Sequence, residues 1–181
     1  MSEVEIIGWA SGLPSDLLVR PLTALVYDEG FGIGEVFQSI VASAKNAGLR
    51  LGGVIEAPAA SNLPGRRCDM FLQDLACGRK VKISEDRGAH ARGCRLDMDG
   101  LARICALVLS SLSQCDLVLL NKFGKTEAEG GGFLCIVSDA LGLSTPVIIG
   151  VPRRNLGAWR AYAGEYAVEI EAAAIGALEV A

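Results

Sequence analysis

A glycine-rich loop is the first place in this sequence where residue types and spacing could do chemistry. Gly30, Gly32 and Gly34 follow an apolar run and precede an amphipathic stretch. Backbone amides at the start of a helix can hold a phosphate or another anion. A magnesium-dependent P-loop needs G-x-x-x-x-G-K-[ST], but Glu35 stands at the lysine position and Val36 at the hydroxyl position. The loop therefore predicts anion binding without a working triphosphatase or, as the alternative, a flexible strand-to-helix turn.

A second polar string, NKFGKTEAEGGG, follows the apolar run LVLL. Magnesium triphosphatases carry a carboxylate at the end of the corresponding strand. Here Asn121 is neutral and Lys122 is cationic, so neither can act as a carboxylate base. Lys122 and Lys125 could hold an anion, and Asn121 and Glu127 are further candidates for ligand binding. The alternative is a solvated loop with a structural asparagine and a glycine-rich hinge.

Two arginines and a cysteine precede a predicted helix in the string RGCRLD. Guanidinium groups and helix amides suit oxyanion binding, so Arg92, Cys94 and Arg95 complete the candidate site. The same setting favours the thiolate of Cys94, which we expect to be the most reactive cysteine. In the alternative, Asp97 only caps the helix, and the arginines are solvated or pair with nearby acidic residues.

The sequence has six cysteines and one histidine, His90. No pair of cysteines has the spacing C-x-x-C, and no secretory signal is visible. We therefore expect reduced cysteines and predict no metal site.

Alternating apolar runs and amphipathic stretches must position these residues. The runs at 22–27, 51–55, 116–120 and 146–151 predict buried strands, and 167–170 a last strand. Helical spacing predicts helices over 35–47, 97–113, 133–141, 155–163 and 171–180. The segments 69–75 and 80–83 predict a hairpin.

This alternation predicts an α/β fold, a three-layer and mostly parallel sheet, with ligands bound beyond the carboxyl ends of its strands. We expect the strand that ends before Asp28 to lie beside the strand that ends before Asn121. That neighbourhood would bring the glycine loop close to Lys122 and Lys125, and the helix after RGCRLD would begin at the same edge.

Length and composition fit one folded domain. The chain has 181 residues, of which 51% are hydrophobic and 21% are charged. We assign 22–181 to a single domain and 1–21 to an N-terminal extension. The net charge of −4 argues against a nucleic-acid partner. The apolar runs are far shorter than the ~20 residues of a membrane span, so we predict a cytoplasmic protein without membrane insertion.

Four strings resemble a bacterial domain-of-unknown-function family, DUF2478, whose genes often stand beside those of molybdenum ABC transporters. They are CDMFLQDLACG (68–78), ISEDRGAHARGCRLD (83–97), DLVLLNKFGKTEAEGGGF (116–133) and the TPVIIGVPRRNLGAW run (145–159). That family is in turn similar to small P-loop nucleoside-triphosphatases. Their strand-end string reads D-E-I-G-K-M-E, where this chain has N-K-F-G-K-T-E at 121–127. The resemblance implies a P-loop NTPase-like fold with degenerate nucleotide motifs.

The hypothesis is a cytoplasmic binding or regulatory protein whose degenerate site takes a small anion or a nucleotide. The resemblance adds a molybdenum link, with molybdate as a candidate ligand and a protein of molybdenum transport as a candidate partner. Self-association into a homo-oligomer stays open. Two alternatives remain: an active nucleoside-triphosphatase or nucleotide-dependent enzyme with non-standard residues, and an adaptor protein without a ligand.

Overall fold

Apolar runs of the chain form a seven-stranded sheet in the computed structural model, which describes residues 19–57, 70–85 and 95–176. The strands are β1 Leu22–Tyr27, β2 Leu51–Glu56, β3 Phe71–Asp74, β4 Lys80–Lys82, β5 Ser84–Glu85, β6 Arg95–Leu96, β7 Leu117–Leu120, β8 Val147–Pro152 and β9 Ala167–Glu171. The helices are α1 Ile33–Asn46, α2 Met98–Ser111, α3 Lys125–Ala128, α4 Leu134–Gly142, α5 Leu156–Ala163 and α6 Ala172–Gly176. Single 3-10 turns lie at Leu112–Gln114, Arg153–Asn155 and Gly164–Tyr166.

The main sheet has the order β4-β3-β2-β7-β8-β1-β9. Five neighbouring strands of the sheet, β2, β7, β8, β1 and β9, are parallel. The β3–β4 hairpin extends the sheet beyond β2, and β3 pairs antiparallel with β2 and with β4. The short strands β5 and β6 form a separate antiparallel pair. The predicted α/β class, the parallel core and the hairpin are confirmed.

The predicted neighbourhood of β1 and β7 is wrong, because β8 lies between them and pairs in parallel with both. Local apolar patterns identify strands, but the order of strands depends on the crossover connections between them. With strands about 4.8 Å apart, one inserted strand places β1 and β7 roughly 10 Å apart. Their carboxyl ends still lie at the same edge of the sheet.

Each face of the sheet is covered by helices, which completes the three layers. Buried residues of α2, α4 and α5 pack on one face, among them Leu101, Ile104, Ile136 and Trp159. Buried residues of α1 and α6 pack on the other, among them Phe37, Ile40 and Ile175. None of the helices in the described ranges is both long and apolar enough to cross a membrane.

Helix ends follow their local chemistry. Asp97 caps α2, because its side chain accepts a hydrogen bond from the Asp99 amide, as the sequence predicts. Gly48 follows the C-cap of α1 with a φ of 76°, a conformation in which glycine carries no steric penalty. Residues 1–18 lie outside the described residues, so the boundary assigned at residue 21 stays a prediction.

Candidate functional site

A cleft of about 480 Å³ opens at the carboxyl edge of the sheet, where β1, β2, β7 and β8 end. Its charged lining consists of Asp28, Glu29, Glu56, Lys122, Arg153 and Arg154. The remaining lining residues are Tyr27, Gly30, Phe31, Ile33 and Pro152. The position agrees with the rule that ligands of open α/β sheets bind beyond the strand ends.

Cations and carboxylates of the cleft are paired across neighbouring strand ends. Lys122 Nζ lies 3.5 Å from Glu56 Oε1, which joins the ends of β7 and β2. Arg154 Nη1 lies 3.2 Å from Glu29 Oε1 and joins the β8 end to the glycine loop. The Lys122 and Arg154 side chains remain 40% and 61% exposed, so an incoming anion can reach both cations.

Arg153 is held more firmly than the other two cations. Its Nη2 lies 2.6 Å from Glu171 Oε2 and its Nε lies 2.7 Å from Asp28 Oδ1. These hydrogen bonds, that to Glu171 first, raise the pKa of Arg153 further above its usual value. Arg153 therefore ties the ends of β1, β8 and β9 together at one side of the cleft.

Tyr27 forms part of the cleft wall. Burial raises its pKa to about 12, the negative charge of Glu56 adds to the shift, and Arg154 opposes it. The phenol consequently stays protonated at neutral pH and keeps its hydrogen-bond donor.

The three predicted glycines lie where β1 passes into α1. Gly30 lines the cleft with a φ of 84°, Gly32 is the N-cap of α1, and Gly34 lies in its first turn. The Glu35 carboxylate folds back over this helix start, with Oε2 3.3 Å from where a Cβ on Gly32 would stand. A helix N-terminus attracts negative charge, and the Glu35 carboxylate lies at this one.

Asn121 lies directly beyond β7 and is only 2% exposed. Its backbone N–H donates to the Val54 carbonyl, and the Asn121–Lys122 peptide bond is cis. Neither Oδ1 nor Nδ2 of its side chain has a hydrogen-bond partner among the described residues. A buried carboxamide with both groups unpaired is unusual in a folded protein.

Lys125 and Glu127 are engaged within their own loop. Lys125 Nζ lies 3.7 Å from Glu129 on the surface, and Lys125 does not line the cleft. The Glu127 carboxylate accepts from the Gly124 amide at 2.8 Å and from the Phe133 amide at 3.0 Å. Glu127 thus holds the loop between β7 and α4 closed, and a ligand-binding role for either residue stays a prediction.

The third predicted group lies largely outside the described residues, since Arg92 and Cys94 fall in the gap between 85 and 95. Only the backbone of Arg95 is described, in β6 beside Glu85. Asp97 lies 3.4 Å from Arg103 in addition to capping α2. Whether the arginines before α2 reach the cleft, and whether Cys94 is reactive, stay predictions.

The thiols of Cys77, Cys105, Cys115 and Cys135 are free, while Cys68 lies outside the described residues. Cys105 is buried, and desolvation raises its pKa to about 12. This thiol packs in the core and is protonated at neutral pH.

Of the cleft lining, only Gly30 and Lys122 were among the predicted site residues, and the charged residues missed outside the glycine loop are Glu56, Arg153 and Arg154. The available signal was the arginine pair directly after the buried run VIIGVP, at a strand end that the alternating pattern already placed at this edge. Glu56 carries no comparable signal, because it is a single acidic residue at the end of a strand.

Comparison with known proteins identifies a matching family and several relatives. Residues 22–177 match the model of a family described as "Protein of unknown function (DUF2478)". "Molybdenum import ATP-binding protein ModC 2" of Bradyrhizobium diazoefficiens is 35% identical over 121 residues, which cover 65% of this chain and 13% of that protein. "Nucleoside-triphosphatase THEP1" of Methanosarcina acetivorans is 28% identical over 107 residues, covering 58% of this chain and 60% of that protein.

The THEP1 protein of Methanosarcina barkeri is 26% identical over the same length. No solved structure matches the chain significantly. The architecture and these relatives together identify the fold as that of the P-loop NTPases.

Proposed function

The chain belongs to the DUF2478 family, and from this premise we propose that it is a binding or regulatory protein whose cleft takes a small anion or a nucleotide without efficient hydrolysis. The observation that carries the proposal is the cleft at the carboxyl edge, with three cations among its lining residues. Similarity to P-loop NTPases suggests nucleotide binding at this edge.

Two substitutions within the P-loop pattern argue against efficient hydrolysis. Glu35 stands where a P-loop lysine would meet the β/γ-phosphates, and its carboxylate lies over the start of α1. Asn121 stands where a carboxylate would hold the magnesium shell. The six charged groups of the cleft lining also cancel, which favours a small anion over a triphosphate.

The molybdenum link rests on the similarity to one relative, the molybdenum import protein of Bradyrhizobium diazoefficiens. It makes a molybdate-like oxyanion a candidate ligand and a protein of molybdenum transport a candidate partner. A cytoplasmic location is part of the same proposal.

Thermal-shift and calorimetric titrations with ATP, GTP, phosphate, sulfate and molybdate test the proposal. A ligand at 100 times its Kd stabilises the fold by about 2.7 kcal/mol, which gives a measurable rise in Tm. Lys122→Ala and Arg154→Ala should each raise the Kd of that ligand at least tenfold. Lys45→Ala, at the exposed end of α1, is the matched control and should leave binding unchanged.

The titrations also separate the alternatives. Turnover of ATP or GTP at roughly 1 per second or faster, abolished by substitution of Gly34 or Glu35, would contradict the proposal and favour an active enzyme. No response to any anion or nucleotide would favour an adaptor protein.

A further inference from the structure

We propose that the cleft selects anions that carry their own O–H donors, namely hydrogen phosphate or a nucleoside phosphate, over acceptor-only anions such as sulfate and molybdate. This inference rests on the proposed function and names the ligand class of the same cleft. Hydrogen phosphate, sulfate and molybdate are all tetrahedral dianions, so the proton on one oxygen is the feature that the cleft would read.

The first observation is the number of acceptors in the lining. Asp28, Glu29 and Glu56 equal the cations in number, and each lies within ion-pair distance of one of them. Carboxylates only accept hydrogen bonds. An anion that binds the cations of this cleft therefore also faces three acceptors.

Those acceptors treat the two kinds of anion differently. An O–H of the ligand can donate to a carboxylate and turn a repulsive approach into a charge-assisted hydrogen bond. An oxygen of sulfate or molybdate cannot donate, and its contact with a carboxylate is repulsive. Such a repulsive element against the wrong ligand is a common source of specificity.

The second observation is independent of the ion pairs and concerns the buried carboxamide of Asn121. A Cβ built on Gly150 would lie 3.1 Å from Cε2 of Phe37, 3.5 Å from Cε1 of Tyr27, which lines the cleft, and 3.6 Å from Asn121 Oδ1. The unpaired carboxamide of Asn121 and the Tyr27 wall of the cleft thus both pack against Gly150. The Asn121 carboxamide offers both a donor and an acceptor. A ligand that pairs both of them must therefore accept one hydrogen bond and donate another.

The size of the cleft admits both members of this ligand class. About 480 Å³ is within the range of small-molecule sites, so either free phosphate or a nucleoside phosphate can enter. Both combine negative oxygens with O–H donors, on the phosphate itself in one case and on the ribose in the other.

The test is calorimetric titration of the full chain at pH 7.0 and constant ionic strength with inorganic phosphate, sulfate, molybdate and AMP. We expect phosphate or AMP to bind at least tenfold more tightly than sulfate and molybdate. Glu56→Gln and Glu29→Gln replace an acceptor with a group that also donates, and each should raise the affinity for sulfate and molybdate and reduce the preference. Glu165→Gln, an exposed carboxylate that does not line the cleft, is the matched control and should leave the preference unchanged.

Asn121→Leu removes the buried donor and acceptor and should lower the affinity for phosphate more than the affinity for sulfate. If this variant fails to fold, the two glutamine variants still decide the question. Equal binding of phosphate and sulfate, unmoved by Glu56→Gln and Glu29→Gln, would overturn the inference and leave anion binding in place. No binding of any anion overturns the proposed function itself. AMP binding above that of phosphate points to a nucleoside phosphate, the reverse points to free phosphate, and both support the inference.

Discussion

Two backbone amides depend on the buried carboxylate of Glu127. The side chain is 5% exposed, and its oxygens accept from the amides of Gly124 and Phe133. Glu127→Ala leaves both amides unpaired, and the loss of paired polar groups in the interior costs about 1–3 kcal/mol for each buried group. We expect urea denaturation to show a fall of about 2–4 kcal/mol in the free energy of unfolding.

Glu129→Ala is the control for this prediction, because Glu129 is 67% exposed and its ion-pair partner within the described ranges is Lys125 on the surface. Exposed pairs contribute little, so the variant should change stability by less than about 1 kcal/mol. An equal effect of the two substitutions would contradict the structural role of Glu127.

Strands β2 and β7 approach each other closely at Gly53. A Cβ there would stand 2.0 Å from the carbonyl oxygen of Leu119, and the φ of Gly53 is 91°. Gly53→Ala combines an unfavourable backbone conformation with a backbone clash, so we expect a loss of at least about 3 kcal/mol in urea denaturation.

Gly157→Ala is the matched control in helix α5, where a Cβ would have no neighbour within 4 Å. Alanine is a better helix former than glycine, so the free energy of unfolding of this variant should rise by up to about 1 kcal/mol. Tolerance of Gly53→Ala would show that β2 and β7 do not pair as described.

Local patterns predicted most of the elements, because burial of one strand or one helix face leaves a signal within a few residues. The apolar run 22–27 matches β1, and Asp97 caps α2 as predicted. The order of the strands leaves no such signal, which is why the insertion of β8 between β1 and β7 was missed.

The candidate site was predictable in part for the same reason. Gly30 and Lys122 follow strands directly and both line the cleft. Arg153 and Arg154 find their partners Asp28 and Glu29 at a separation of 125 residues. Only the folded sheet brings such pairs together, so spacing along the chain could not reveal them.

At the scale of the molecule, the two edges of the sheet carry different ion pairs. The carboxyl edge holds the cleft and the ion pairs among its lining residues. Before β2 and β7, at the amino edge, Arg50 Nη2 lies 2.7 Å from Asp116 Oδ1, and the Arg50 amide donates to Asp116 Oδ2. Substitutions at Asp116 therefore probe the stability of the whole fold without touching the cleft.

Asp116 should make stability depend on pH at the acid end. Hydrogen bonds from the Arg50 side chain and amide lower its pKa from 3.8 to about 2. A carboxyl whose pKa is lower in the folded state stabilises the fold above the unfolded pKa, and that contribution is lost as the pH falls from about 4 towards 2. Asp116→Asn should thus be less stable than the parent at pH 6, and the difference should become much smaller by pH 2 in urea denaturation followed by circular dichroism. Asp139→Asn, an exposed carboxylate in α4, should change stability by less than about 0.5 kcal/mol at either pH. An equal deficit of Asp116→Asn at pH 6 and pH 2 would mean that packing at this position, and not the charge of the carboxylate, stabilises the amino edge.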